Sequence, residues 1–253
     1  MEIKKLFFFF VNAYVITEGE HTILFDTGLM LPPEQLPGLC AENGIDPKKI
    51  ELIVISHGHY DHCMLASAWK ELTGAKVLCH KDAVDYMRTG VKSPLFTYGE
   101  RAKNYQPLSW MQGMFNVPPT AAVTYQPYID FMESTAPPCI PTCEPDIIIG
   151  DEDYDLHPYG ISGKLIHTPG HDDSAIALVT DDRKAFTGDT ILDLHTVQCL
   201  ECVYPEGTYS FNWINNGEDI IKNSVKRIVE EADIYYAGHG GPYTREMIEP
   251  LVK

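Results

Sequence analysis

Residues 57–62 read His-Gly-His-Tyr-Asp-His, directly after the apolar run Leu52-Ile53-Val54-Ile55 and Ser56. Three imidazoles and a carboxylate fall within six positions, at the end of an expected core strand. Packing alone does not ask for such a cluster, because burying polar and charged groups is costly. Imidazole and carboxylate together suit zinc and neighbouring transition metals. A metal site draws ligands from several parts of a chain, and three later segments offer them. His171 follows Lys164-Leu165-Ile166-His167 through Thr168-Pro169-Gly170, Asp189 follows Ala185-Phe186 through Thr187-Gly188, and His239 follows Ile234-Tyr235-Tyr236 through Ala237-Gly238. Each repeats one grammar: a short apolar strand, a glycine, then one His or Asp. Strand ends gathered along one sheet edge are where α/β proteins build sites.

On these residues the chain resembles the metallo-β-lactamase-fold superfamily, on its glyoxalase II or lactonase-like side. The match is His57-x-His59-x-Asp61-His62, then His171, Asp189 and His239 in order, and Leu24-Phe25-Asp26-Thr27-Gly28 looks like the family's opening hairpin. The resemblance runs from about residue 5 to residue 241. It implies a four-layer αββα sandwich of two mixed β-sheets flanked by helices. It also implies two divalent metal ions, zinc first, with manganese or iron as alternatives. One would be held by His57, His59 and His171, the other by Asp61, His62 and His239, with Asp189 bridging. Asp26 resembles a position that orients a ligand histidine. Cys63, Met64 and Leu65 depart from the small residues usual after the motif, and Asp172-Asp173 adds negative charge beside the metals.

Two such ions about 3.5–4 Å apart share a hydroxide near neutral pH and polarise a carbonyl or phosphoryl oxygen. Asp61 would then both ligate and relay a proton. The expected activity is metal-dependent hydrolysis of an ester-like carbonyl: a lactone, thioester or ester. Competing readings are a phosphodiesterase of the same fold, an iron-dependent oxidoreductase and a non-catalytic sensor that retains its metals.

The formal net charge is −17, from 19 basic and 36 acidic side chains. That balance opposes nucleic acid and anionic membranes, whose binding runs on Lys and Arg. The expected partner is therefore a small-molecule substrate, with no nucleic acid and no membrane. The expected location is cytoplasmic. Lys4-Lys5 before Leu6-Phe7-Phe8-Phe9-Phe10 has the look of a signal peptide, but no small-residue cleavage site follows, so it reads as the first core strand. Seven cysteines, an odd number, read as reduced thiols. Cys139, Cys143, Cys199 and Cys202 could hold a second kind of metal site only if two separate segments met; the plainer reading is unconnected thiols.

The elements that must position these groups follow from periodicity. Strands are expected at 3–10, 12–17, 22–26, 51–55, 76–79, 146–149, 164–167, 174–180, 184–187 and 233–237. Helices are expected from Pro32 to Asn43, from His62 to about Leu72, over Asp82–Arg88, over 213–231 and from Thr244. The 213–231 helix carries Ile220, Ile221, Val225 and Ile228 on one expected face. At 253 residues the chain suits one domain, residues 1–253, with an insertion at about 89–145. That insertion is rich in aromatics, methionines and prolines, among them Phe96, Trp110, Met114 and Tyr125. Long loops of this kind are commonly lids; a packed subdomain or a contact in a homo-oligomer is the other reading. His195 is a candidate for the substrate side, or a surface histidine. His167 reads as structural, while His21, His80 and His157 show no partner in sequence.

Overall fold

The computed structural model describes residues 1–91, 105–107, 139–192, 200–202 and 218–252. Strands β1 (Glu2–Phe8), β2 (Val11–Glu18) and β3 (His21–Phe25) form an antiparallel meander at the N-terminus. Strands β4 (Ile50–Val54), β5 (Lys76–His80) and, further along the chain, β7 (Ile147–Ile149) add to it in parallel. Helices α1 (Leu36–Glu42), α2 (Tyr60–Cys63), α3 (Ala66–Thr73) and α4 (Val84–Thr89) lie between these strands in sequence. A second mixed sheet is built from β8 (Tyr154–Asp155), β9 (Gly163–His167), β10 (Ile176–Thr180), β11 (Lys184–Gly188), β13 (Ile234–Ala237) and β14 (Tyr243–Thr244). Its strand order is β14-β13-β11-β10-β9-β8. Helix α5 (Glu218–Glu231) and α6 (Arg245–Ile248) complete it. The architecture is the αββα sandwich that the motif implies.

Side-chain alternation explains the layers. Along a strand, successive residues face opposite ways. Tyr14 and Ile16, Ile23 and Phe25, and Leu52 and Val54 point inward to meet Leu165, Leu178 and Phe186 of the second sheet. Val15, Leu24 and Ile53 point outward to a cluster that includes Leu36, Cys40 and Trp69. In the second sheet Ile166, Ala177, Val179 and Ala185 pack with Ile221, Val225 and Ile228 of α5. Both faces of each sheet are thus covered, so its central strands read as nearly continuous apolar runs.

Some expectations change. The helix expected over His62–Leu72 starts earlier and breaks into α2 and α3. Leu65 turns the chain with φ −95° and ψ 11°. The break leaves Tyr60–Cys63 as one tight turn beside the site, while Trp69 Nε1 donates to the Thr27 carbonyl at 3.1 Å. In α5, Ile220 is half-exposed whereas Ile221, Val225 and Ile228 are buried. Positions 221, 225 and 228 follow the i, i+4, i+7 stripe, and residue 220 falls off it. Residues 213–217 of that expected helix lie outside the described residues.

The insertion leaves and returns through a neck. Val91 and Cys139 form a bridge, and Ile140 N donates to the Gly90 carbonyl at 2.8 Å. Within it, β6 (Tyr105–Pro107) pairs antiparallel with β12 (Leu200–Cys202). The rest of the insertion, and with it the lid or subdomain reading, lies outside the described residues. So do Cys199 and the side chain of Cys202. Cys40, Cys63, Cys79, Cys139 and Cys143 are free thiols, and Cys143 sits in the first core cluster. Among the described residues no helix is long and apolar enough to cross a membrane.

Candidate metal centre

The seven residues picked out in the sequence converge. His57 and His59 leave the end of β4, and Asp61 and His62 lie on α2 immediately after. From the second sheet, His171 follows β9, Asp189 follows β11 and His239 follows β13. All seven are buried. Their potential ligand atoms fall into two groups: His57, His59 and His171 in one, Asp61, His62, Asp189 and His239 in the other.

In the first group, His59 Nδ1 stands 3.0 Å from His57 Nε2 and 2.9 Å from His171 Nε2. Ligand nitrogens of a tetrahedral zinc ion lie about 3.3 Å apart, given bonds near 2.0–2.1 Å. In the second, His62 Nε2 is 3.2 Å from Asp189 Oδ1 and 3.6 Å from Asp61 Oδ2. His239 Nε2 is 3.1 Å from Asp189 Oδ2 and 3.3 Å from Asp61 Oδ2. Asp189 Oδ2 also lies 3.5 Å from His171 Nε2, so this carboxylate faces both groups.

The surrounding hydrogen bonds set the tautomers. Asp26, between β3 and α1, accepts from Ser56 N at 2.7 Å and from Ser56 Oγ at 2.8 Å. Its Oδ2 also lies 2.8 Å from His62 Nδ1. A carboxylate only accepts, so a hydrogen sits on His62 Nδ1 and Nε2 faces the cluster. Ser56 Oγ, having given its hydrogen to Asp26, accepts from His57 Nδ1 at 2.9 Å. His239 Nδ1 donates to the Phe10 carbonyl at 2.8 Å. Three imidazoles are thus turned so that Nε2 aims inward, the orientation a cation requires. Ser56 went unnoticed in the sequence; its only signal was its place directly before His57.

The electrostatics of the two groups differ. Burial, then His62 and His59, hold His57 well below its usual pKa, and burial is also the main cause that brings His171 down to about 4. Both are neutral at pH 7, with lone pairs open. Burial also penalises a charged His62 and His239, but Asp189 and Asp61 outweigh it. His62 is held well above its usual range and His239 is pushed up to about 9. The same pairing holds Asp189 well below the carboxylate range despite its burial. One pocket therefore offers neutral nitrogens, and its neighbour draws positive charge.

The residues fit metal ions by a further test. His62 Nε2 and Asp189 Oδ1 are buried, face each other at 3.2 Å and have no other hydrogen-bond partner. Such buried unsatisfied atoms are rare and call for an explanation. Gly238 keeps the space open, because a side chain there would run into Asp189 Oδ1 and come within 2.6 Å of His62 Cε1.

Other sequence candidates are placed as follows. Asp172 Oδ2 lies 3.8 Å from His59 Nε2, and Asp172 also accepts from Ser174 N and Oγ. Gly58 N donates to Ser174 Oγ at 3.0 Å, which ties the motif turn to the His171 loop. Cys63 is fully buried; burial, then Asp61 and Asp26, push its thiol well above its usual pKa, so it is a protonated neighbour. His195 lies outside the described residues.

A sandwich of two mixed sheets with His/Asp clusters at the strand ends defines a class of metal-binding α/β proteins. The profile of the metallo-beta-lactamase superfamily matches residues 6–239, and the chain belongs to that superfamily of metal-dependent hydrolases. Solved structures share the fold. The BLEG-1 B3 metallo-beta-lactamase is 16% identical, with a TM-score of 0.63 over 97% of this chain and 95% of its own. The archaeal metallo-beta-lactamase superfamily protein ST1585 from Sulfolobus tokodaii is 19% identical, with a TM-score of 0.57 over 96% and 79%. The metallo-beta-lactamase family protein TTHA1429 from Thermus thermophilus is 22% identical, with a TM-score of 0.56 over 96% and 73%.

Proposed function

We propose that this chain is a dinuclear metal hydrolase acting on an ester-type carbonyl of a small molecule. The observation that carries the reading is Asp189, whose Oδ2 faces His171 of one group and His239 of the other. In this reading His57, His59 and His171 would hold one ion, Asp61, His62 and His239 would hold the other, and Asp189 would serve both. Zinc suits this nitrogen-rich set, and manganese or iron would also be accepted. When bound, a pair of divalent ions supplies a hydroxide near neutral pH and polarises the scissile carbonyl.

The chain's own groups do the rest. Asp26 and Ser56 hold His57 and His62 in one tautomer and one orientation. Asp61 meets His62 and His239 through Oδ2, which leaves Oδ1 to accept a proton from the nucleophile and deliver it to the leaving oxygen or sulfur. The Phe10 ring stacks on His239, with centroids 5.7 Å apart and 14° between planes, and Phe9 beside it is 70% exposed. These aromatic groups favour an apolar acyl portion. A chain of formal charge −17 disfavours polyanions such as nucleic acids.

The test is elemental analysis of the purified protein, then turnover of lactones, thioesters, phosphodiesters and β-lactams beside Asp61→Ala. Two metal ions per centre and carbonyl hydrolysis that falls at least about a hundredfold in the variant are expected. Turnover of phosphodiesters alone would overturn the substrate class.

A further inference from the structure

None of the seven residues above includes His80, Asp151 or His167, yet these three also bring potential ligand atoms within 4.8 Å of one another. His80 ends β5 and Asp151 follows β7, both in the first sheet, while His167 ends β9 in the second. The two imidazoles stack face to face, with centroids 4.4 Å apart and planes 9° apart. Both address one carboxylate oxygen. Asp151 Oδ1 is 3.1 Å from His80 Nε2 and 3.8 Å from His167 Nδ1.

The tautomer of His167 makes this arrangement informative. Its Nε2 donates to the Asp173 carbonyl at 2.8 Å, so in the neutral ring Nδ1 carries the lone pair. That lone pair faces a carboxylate oxygen 3.8 Å away, a spacing that a cation between them would satisfy. His80 is fully buried; its Nδ1 accepts from Asp82 N at 3.4 Å, and Nε2 gives its hydrogen to Asp151 Oδ1 at 3.1 Å. A cation at Nε2 would displace that hydrogen to Nδ1, where Asp82 Oδ2, 3.5 Å away, could accept it, the outer carboxylate support that ligating histidines use. Burial and the neighbouring His167 hold His80 below its usual pKa, so it is neutral at pH 7. At present Lys81 Nζ supplies positive charge to Asp151 Oδ1 at 2.6 Å. Its side chain is 48% exposed and free to swing into solvent.

We propose that His80, Asp151 and His167 form a third divalent-metal site, of zinc-type chemistry, which clasps the two sheets together. Two imidazole nitrogens and one carboxylate oxygen leave a fourth tetrahedral position for water. His167 lies four residues before His171 and is bonded to the Asp173 backbone, so occupation also steadies the loop that carries His171. The site does not depend on the hydrolase reading, because it uses none of the seven residues of the centre.

The experiment uses the full chain with its centre already loaded. Dialysis against buffered free zinc, followed by elemental analysis, counts the ions per chain. Wild type takes up a third zinc at saturation. Asp151→Asn and His167→Gln, both at positions with some exposure, bind that ion at least about tenfold more weakly. Lys81→Ala removes the competing ammonium and binds it more tightly. Added zinc raises the melting temperature of the loaded wild type and leaves that of loaded Asp151→Asn unchanged. Saturation at two ions, or a third ion held equally by wild type and Asp151→Asn, overturns the proposal.

Discussion

Asp26→Asn tests the proposed centre most sharply, because it changes the direction of hydrogen bonds while keeping the shape. Asp26 sits at φ +62°, in the left-handed region where Asn is also tolerated, so the backbone adds little strain. Its carboxylate accepts three hydrogens, from Ser56 N, Ser56 Oγ and His62 Nδ1, at 2.7–2.8 Å. In the variant Oδ1 still accepts from Ser56 N, but an amide NH2 replaces Oδ2. That group donates to Ser56 Oγ and to His62 Nδ1. Ser56 Oγ then turns its hydrogen to His57 Nδ1, 2.9 Å away. Both histidines are forced into the Nε2–H tautomer, which cannot ligate. The metal-free protein loses little, since His62 Nε2–H keeps Asp189 Oδ1 at 3.2 Å as an acceptor. Loss of such support for a ligand costs about 10–100-fold in metal affinity. At about 1.4 kcal/mol per tenfold, that is roughly 1.4–2.8 kcal/mol per ion. Competition with a chromophoric chelator measures each affinity, and melting of the metal-free protein checks the fold. If both affinities stay within about threefold of wild type while the metal-free fold is unchanged, the tautomer argument is wrong.

Three further outcomes follow from the same structure. Gly238→Ala pushes against Asp189 Oδ1 and His62 Cε1, so it weakens metal binding at the second group more than at the first, which shares only Asp189 with it; stoichiometry after dialysis reads this. Trp69→Ala removes a fully buried ring and its bond to the Thr27 carbonyl, and costs about 3–5 kcal/mol in urea unfolding. Asp233 is held down to about 2, chiefly by its hydrogen bonds from Arg183 and then Arg245. A depressed folded pKa gives stability that is present above the unfolded value, about 3.9, and lost as pH falls through the folded one. The stability gap between wild type and Asp233→Asn is therefore constant above about pH 5 and closes toward pH 2; a gap independent of pH would contradict the assignment.

The seven metal-competent residues were legible because their signals are local. His57 to Asp61 and His62 stand within one strand end and one helical turn, and His171, Asp189 and His239 each follow a strand and a glycine. The sheets were legible for a similar reason: alternation along β2, β3 and β4 is a property of each strand alone. What escaped was set by distant partners. The two-residue strands β8 and β14 are too short for any period to show, and exist through pairing with β9 and β13. The break at Leu65 reflects where Trp69 must reach, to a carbonyl 42 positions earlier. Ile220 and Ile221 have the same chemistry in sequence; only docking against the second sheet separates the exposed one from the buried one. His80 and His167 carried no sign of each other because nothing local links residues that meet only when both sheets are in place.

The same dependence on two sheets explains why the centre and the sandwich must form together. The first sheet contributes His57, His59, Asp61 and His62, and the second contributes His171, Asp189 and His239. Neither set alone completes a site. The seam between them is fixed by backbone and buried polar groups next to the ligands. Ile176 N donates to the Ser56 carbonyl at 2.8 Å, and Asn12 N to the Gly238 carbonyl at 2.7 Å. Asn12 Nδ2 donates to the carbonyls of Ala237 and Gly240, and Tyr14 Oη donates to Ala237 at 2.6 Å. These bonds run to the residues on either side of His239 and to the residue before His57. A shift of one sheet against the other would move ligands of both groups at once and would break these bonds in the same step. Ions that bound only the docked state would therefore stabilise the whole sandwich by mass action, and their grip on the chain would measure how firmly the two sheets are held.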